Sequence, residues 1–366
     1  MQRNTYLEFL QYSINPDLAI PESVKPIDWM KMMAWAESQA IVGVIYDGIQ
    51  RAGKPLGVPF DDLMEWMGYA QQIEFQNIQL NKKCIEVVNE YRDAGYECLI
   101  LKGQGNALMY PNPLLRNSGD IDVLITNKGR KEITLYVKDR KSLTGHHYHH
   151  IEYEEDEIPI EIHFYAGSMN NPLYRRRLNN YLKEVVSRGN AMVSLPKGGG
   201  EVPVPTWEFN VVFQLAHMMH HFFDEGIGLR QMIDYYYLLM HNSQCTMHNL
   251  ENTLKRLNLY NFAGAVMYVM KEALGMEDEY IIVPVDERRG KTLLREIMEG
   301  GNFGQCSGLT DHSTATKYFL KIWRNMHFVR EYPAEALCEP FFRTWHFFWR
   351  LSNMFMAAKV QSDSET

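Results

Sequence analysis

The sequence predicts an α+β fold: a small mixed β-sheet core flanked by an N-terminal helical segment and a larger C-terminal helical domain. Three observations carry that expectation. Residues 97–125 hold two short apolar runs, 97–101 and 120–125, joined by a Tyr- and Pro-containing connection. Residues 149–164 hold two further strand-like runs around the acidic tip Glu154-Glu155-Asp156-Glu157. From Thr206 onward, apolar residues recur at helical spacing with turn signals between the segments. The expected partition is 1–80, 81–200 and 201–366, the second boundary falling at the loop Pro196-Lys197-Gly198-Gly199-Gly200. A chain of 366 residues, 46% of them hydrophobic, can fill more than one core.

The elements follow in order. Segments 27–39 and 61–80 carry helical spacing, with Pro16, Pro21, Pro26 and Pro59 marking breaks. Residues 81–94 read as a helix with Ile85, Val88 and Tyr91 on one stripe, and Gly95 supplies a left-handed stop. A strand at 97–101, a short helix or turn near 104–110 and a strand at 120–125 make an α/β unit. A short helix at 131–140, strands at 149–153 and 158–164, and a helix at 172–186 complete the mixed region. Helices are expected at 206–223, 228–241, 247–257, 260–274, 287–299, 314–328 and 340–357. In the last of these, Phe341, Phe342, Trp345, Phe348 and Trp349 read as a core stripe, or as a partner surface if they stay uncovered. The polar tail 361–366 is expected to be disordered.

Composition narrows the function. A net charge of −8 argues against a nucleic-acid-binding surface, which needs a basic patch, but leaves room for a bound nucleotide. Cys84, Cys98, Cys245, Cys306 and Cys338 are odd in number and form no C-x-x-C, which reads as free thiols in a reducing compartment. No apolar signal segment opens the chain, and no run of about eighteen apolar residues occurs. A cytoplasmic protein without membrane contact is expected.

The chemistry concentrates in two strands. In Asp120-Ile121-Asp122-Val123-Leu124-Ile125 the alternation puts both aspartates on one face and Ile121, Val123 and Ile125 on the other. Adjacent carboxylates repel, and a cation between them relieves the repulsion. Strand 158–164 repeats the pattern, with Glu161 and His163 on one face and Ile160, Ile162 and Phe164 on the other. If the two strands pair, Glu161 approaches Asp120 and Asp122. Three carboxylates then form an oxygen-rich site for a hard divalent cation such as Mg²⁺. Such an ion bridges nucleotide phosphates and neutralises charge during phosphoryl or nucleotidyl transfer.

Taken together, L-K-G, Y-P, G-D-I-D-V-L-I, I-E-I-H, H-x-x-x-H and L-R-x-x-x-D across residues 99–240 resemble the uncharacterised bacterial nucleotidyltransferase-like family. That family is part of the DNA polymerase β-type nucleotidyltransferase superfamily. The resemblance implies that Asp120 and Asp122 hold the metal. It implies that Glu161 is the third carboxylate, a metal ligand and base for the attacking hydroxyl. It also implies that the Gly103 backbone, Lys102 and Arg116 contact the triphosphate. Lys-Gly-Gln-Gly stands where the superfamily usually has Gly-Ser or Gly-Gly, and the gap from Gly103 to Asp120 is longer than usual. The implied reaction is transfer of an NMP from an NTP, with Mg²⁺ or Mn²⁺, to a hydroxyl-type acceptor on a small molecule or protein. The alternative is a catalytically silent nucleotide-binding or regulatory module with the same fold.

Each residue also has a plainer reading. D-x-D alone fits a solvated edge, Glu161 a surface carboxylate, His163 a hydrogen-bonded sheet histidine and Lys102 a strand cap. Arg116 also fits an ion pair with Asp120 or Asp122. In His146-His147-Tyr148-His149-His150, neighbouring side chains on a strand diverge, so a pocket wall or solvated hairpin is expected rather than a zinc site. His217 and His221 are spaced i,i+4, but Met218 replaces the glutamate of H-E-x-x-H, so packing or nucleotide-pocket lining is expected there. Arg230 and Asp234 suit an intrahelical ion pair.

Overall fold

The computed structural model describes residues 2–24, 27–241, 249–304 and 314–364. The first helices are α1 (Gln2–Ile14), α2 (Trp29–Ser38), α3 (Val42–Ala52) and α4 (Phe60–Asp93). The mixed region holds β1 (Cys98–Leu101), α5 (Gly103–Ala107), β2 (Ile121–Ile125), α6 (Arg130–Arg140), β3 (Leu143–His146), β4 (His150–Glu155), β5 (Ile158–His163), α7 (Pro172–Ser187), β6 (Ala191–Ser194) and β7 (Glu201–Val204). The rest is helical: α8 (Trp207–Asp224), α9 (Leu229–Met240), α10 (Leu250–Arg256), α11 (Tyr260–Leu274), α12 (Glu287–Gly300), α13 (Thr314–Met326) and α14 (Pro333–Ser364). The α+β expectation is met.

The five-stranded sheet has the order β1-β2-β5-β4-β3, with β2 and β5 parallel and the other neighbours antiparallel. Period two sorts its side chains. Cys98, Ile100, Ile121, Val123, Ile125, Ile160 and Ile162 bury one face against the C-terminal half of α4 and against Ile133 and Val137 of α6. Leu99, Leu101 and Leu124 face the other way, into the large helical core with Phe213 of α8 and Ile233 of α9. The acidic tip between β4 and β5 turns on Asp156 and Glu157, both at positive φ, and Lys83 of α4 clamps Asp156 at 2.6 Å.

Four features depart from the sequence reading. Segments 61–80 and 81–94 are one 34-residue helix, α4, which runs through the expected boundary at residue 80. Its polar residues at that point are used inside: Asn81 donates to Pro196 O at 2.7 Å and accepts from Gln104, while Asn77 donates to Leu114 O and Arg116 O at 2.8 Å each. Strand β3 and the β6–β7 ribbon were not expected. The α14 aromatics are not a core stripe, since Phe341 and Phe348 are exposed. Finally, Asp234 does not pair with Arg230. Its partner is Arg116, whose Nε and Nη2 each donate to it at 2.7 Å while the Tyr110 hydroxyl donates at 2.7 Å.

Cys84, Cys98 and Cys338 are free thiols; Cys245, Cys306 and the end of the tail, 365–366, lie outside the described residues. Among the described residues no helix is long and apolar enough to cross a membrane.

Two ties are open to measurement. Arg116 and Asp234 are almost fully buried, so Asp234→Ala leaves an unpaired buried guanidinium and should destabilise by about 3–5 kcal/mol in denaturant unfolding; a loss near zero would show that the pair does not bind α9 to the 113–118 connection. Glu335 near the start of α14 accepts from Asn170 N at 2.7 Å. Burial raises its carboxyl to about 7, against the opposing pull of the Asn170 and Asn171 N–H groups and Arg175. A raised acid stabilises the fold below its unfolded pKa and loses that contribution as pH rises through the folded value. Wild type should therefore lose up to about 3 kcal/mol between roughly pH 4.5 and 7 from this group. Glu335→Gln should gain on wild type as pH rises across that window, and a pH-independent difference between the two would refute the assignment.

Candidate active site

The parallel register of β2 and β5 sets Asp122 opposite Glu161. Both lie on the sheet face away from Ile121, Val123, Ile160 and Ile162, beside a cavity of about 550 Å³. Helices α8, α9 and α14 close its other sides, through His217 and His221, Arg230, and Phe342, Arg343 and His346. The conditional pairing read from the alternation is thus the pairing formed.

Asp122 is 2% exposed and both of its oxygens are engaged. Oδ2 lies 3.0 Å from Lys102 Nζ, and Oδ1 lies 2.8 Å from His163 Nε2. The same His163 nitrogen is 3.2 Å from Glu161 Oε2, so one imidazole bridges the two carboxylates. Burial alone would depress the His163 imidazolium, but hydrogen bonds to Asp122 and Glu161 raise it to about 9. Burial likewise works to raise Glu161, yet His163, His150 and Lys102 hold it down at about 2. Asp122 is lowered against its burial by Lys102 and His163, and Lys102 is raised against its burial by Asp122, Asp120 and Glu161. The cluster is a compensated set of charges: buried carboxylates cost several kcal/mol each unless paired.

Lys102 ends β1 with φ +47 and ψ −131, a sparsely populated conformation for a side-chain-bearing residue that costs on the order of 1–3 kcal/mol. The turn sends its ammonium across to Asp122 and to His217 Nε2, 3.1 Å away. Gly103 follows at φ +35 and opens α5 at the cavity wall. Asp120 lies one residue before β2, lines the cavity and has no hydrogen bond or ion pair to another side chain among the described residues. Arg116 also lines the cavity, but its fork is held by Asp234 and its Nη1 donates to Ser118 Oγ at 2.8 Å.

The carboxylate set suits a divalent cation. Asp122, Glu161 and His163 offer donor atoms within 4.8 Å of one another, and Asp120 lines the same cavity. His163 Nε2 lies between the two carboxylates, 2.8 Å from Asp122 Oδ1 and 3.2 Å from Glu161 Oε2.

The histidine-rich segments are cavity lining. His217 and His221 meet through their Nε2 atoms at 3.0 Å, and burial keeps His217 neutral, with its lowered pKa reinforced by Lys102. His147, His149 and His150 also line the cavity. The sequence reading did not assign cavity roles to Arg230, Arg343 or Lys321. Arg230 faces the Phe303 ring at 5.3 Å, donates through Nη1 to Asn117 O at 3.2 Å and, among the described residues, has no hydrogen-bond partner for its buried Nε. Its i,i+4 spacing to Asp234 was the only local signal, and that spacing pointed to the wrong partner.

No curated protein and no solved structure matches the chain. A family model described as an uncharacterised nucleotidyltransferase matches residues 25–275, which hold β1 through β7 and every carboxylate of the cluster. The chain belongs to this uncharacterised nucleotidyltransferase family.

Proposed function

We propose that the protein transfers a nucleoside monophosphate from an NTP to a hydroxyl-type acceptor on a small molecule or a protein, with Mg²⁺ or Mn²⁺. The observation that carries this reading is Asp122 set opposite Glu161 at a cavity edged by Lys102 and Gly103. Asp120, Asp122 and Glu161 would hold the cation. When bound, it would neutralise the triphosphate and the charge developing in transfer. The chain's own residues do the rest. Lys102, kept protonated by its acidic neighbours, offers a fixed positive charge to phosphate oxygens. The backbone at Gly103 lets the triphosphate approach closely. Arg116 is the implied second phosphate contact, and its bidentate bond to Asp234 also fixes the 113–118 connection ahead of Asp120. A Glu161 carboxylate held at about 2 keeps its charge, which suits it to cation binding more than to proton uptake.

A second reading has its own observation. Lys102 and His163 already neutralise Asp122, as expected of a silent nucleotide-binding or regulatory module that has replaced the metal with internal cations. Isothermal titration with Mg²⁺ and each NTP tests the site. Wild type should bind at least one Mg-NTP, and Asp120→Ala/Asp122→Ala should weaken it by about 10-fold or more. Equal binding by both proteins would remove the aspartates from the site, and no binding by wild type would remove the enzyme reading. Binding without pyrophosphate release against an acceptor panel would favour the silent module.

Lys102→Met separates the charge from the fold. Losing the ammonium frees Asp122 Oδ2, so cation affinity should hold or rise while nucleotide affinity falls. A parallel fall in both would mean that Lys102 acts by organising the carboxylates.

A further inference from the structure

We propose that His147, His150 and Glu152 form a second cation site, one for a transition metal of the zinc class, distinct from the carboxylate cluster. His150 Nε2 lies 2.7 Å and His147 Nε2 3.0 Å from the same oxygen, Glu152 Oε1. All three donor atoms fall within 4.8 Å of one another. Two imidazoles and one carboxylate are a borderline donor set that suits zinc rather than magnesium. All three residues line the cavity.

The backbone explains why histidines expected to diverge converge instead. The β3–β4 register shifts between Leu143 and Gly145, and residues 147–149 form the connection between the strands rather than part of one. The His147 N–H donates to His150 O at 2.9 Å, which continues the pairing of His146 with Ile151 and sets His147 opposite His150 across the turn. Gly145 pairs with Glu152, and a Cβ there would stand 2.4 Å from Glu152 Oε2. Only a residue without a side chain lets the carboxylate fold across the neighbouring strand toward the two rings.

The arrangement around His150 favours a ligand. Its Nδ1, on the far side of the ring, faces Glu161 Oε2 at 3.6 Å. A carboxylate behind the second nitrogen is the usual support for a metal-bound histidine, because it fixes the tautomer and ring orientation. With a metal on Nε2 the proton belongs on Nδ1, which is buried without a hydrogen-bond partner among the described residues and would reach Glu161 Oε2 by closing the 3.6 Å gap to hydrogen-bond range. The second cation would thus help orient a carboxylate of the first cluster. The proposal does not depend on the transferase reading, because it concerns zinc binding without nucleotide.

The test uses untagged full-length protein stripped of metal, titrated with Zn²⁺ alone and then desalted. Wild type should retain one zinc, and X-ray absorption should show nitrogen and oxygen neighbours with the outer-shell pattern of two imidazoles. His147→Gln and Glu152→Gln should each lower zinc affinity by about 100-fold, while His146→Gln, outside the trio, retains it. Asp122→Asn should also retain zinc, which separates this site from the carboxylate cluster. The proposal fails if wild type retains no zinc, if the His147 and Glu152 variants bind as wild type does, or if the absorption spectrum shows sulfur or fewer than two imidazoles. The spectrum of wild type decides the matter even if a variant does not fold.

Discussion

Two carboxylates set side by side inside a protein must be compensated, and the centre of this structure is organised by that need. The parallel β2–β5 register brings Asp122 against Glu161 in a place where Asp122 has almost no contact with water. The repulsion and desolvation are met by one ammonium and one imidazolium. Lys102 adopts a strained backbone to supply the first, and His163, two residues beyond Glu161 on the same strand face, supplies the second. The neutral His217 of α8 fits the same logic, since another positive charge beside Lys102 would be opposed by it. Among the described residues Asp120 has no side-chain partner and lines the same cavity.

Much of this was legible in the residues. Alternation sorted Asp122 and Glu161 onto polar faces and the isoleucines onto the core face, because a half-buried strand has a period of two. It could not show which strands pair or in what direction. The Arg116–Asp234 bond was invisible because its partners are 118 residues apart, while Arg230 offered a local alternative one helical turn away. The continuity of α4 was hidden by Asn77, Asn81 and Lys83, which look like an exposed break but bond to backbone and side chains inside. The β6–β7 ribbon was lost behind Pro196 and three glycines, whose turn signal is stronger than the short strands that flank it. The convergence of His147 and His150 follows from the short turn between β3 and β4, which was hidden because β3 itself was not expected.

The family match and the cavity differ in extent. Residues 25–275 contain the sheet, α8 and α9, and so the whole carboxylate cluster. The wall opposite the sheet comes partly from α13 and α14, beyond that segment, where Lys321 and Arg343 both bind Asp224 at 3.1 and 2.9 Å. Glu335 ties the start of α14 to the segment that follows the central strand β5. The lining of the cavity is therefore supplied in part by residues outside the family-matched segment.

The central claim is that the paired strands build one cation-dependent nucleotide site. Electron paramagnetic resonance of Mn²⁺, titrated with protein in the presence and absence of NTP, tests it most directly. The account predicts that wild type takes up Mn²⁺ together with NTP and that Glu161→Gln, which keeps the size of the side chain and removes its charge, largely abolishes the uptake. Unchanged Mn²⁺ uptake by Glu161→Gln, or no nucleotide-linked uptake by wild type, would contradict it.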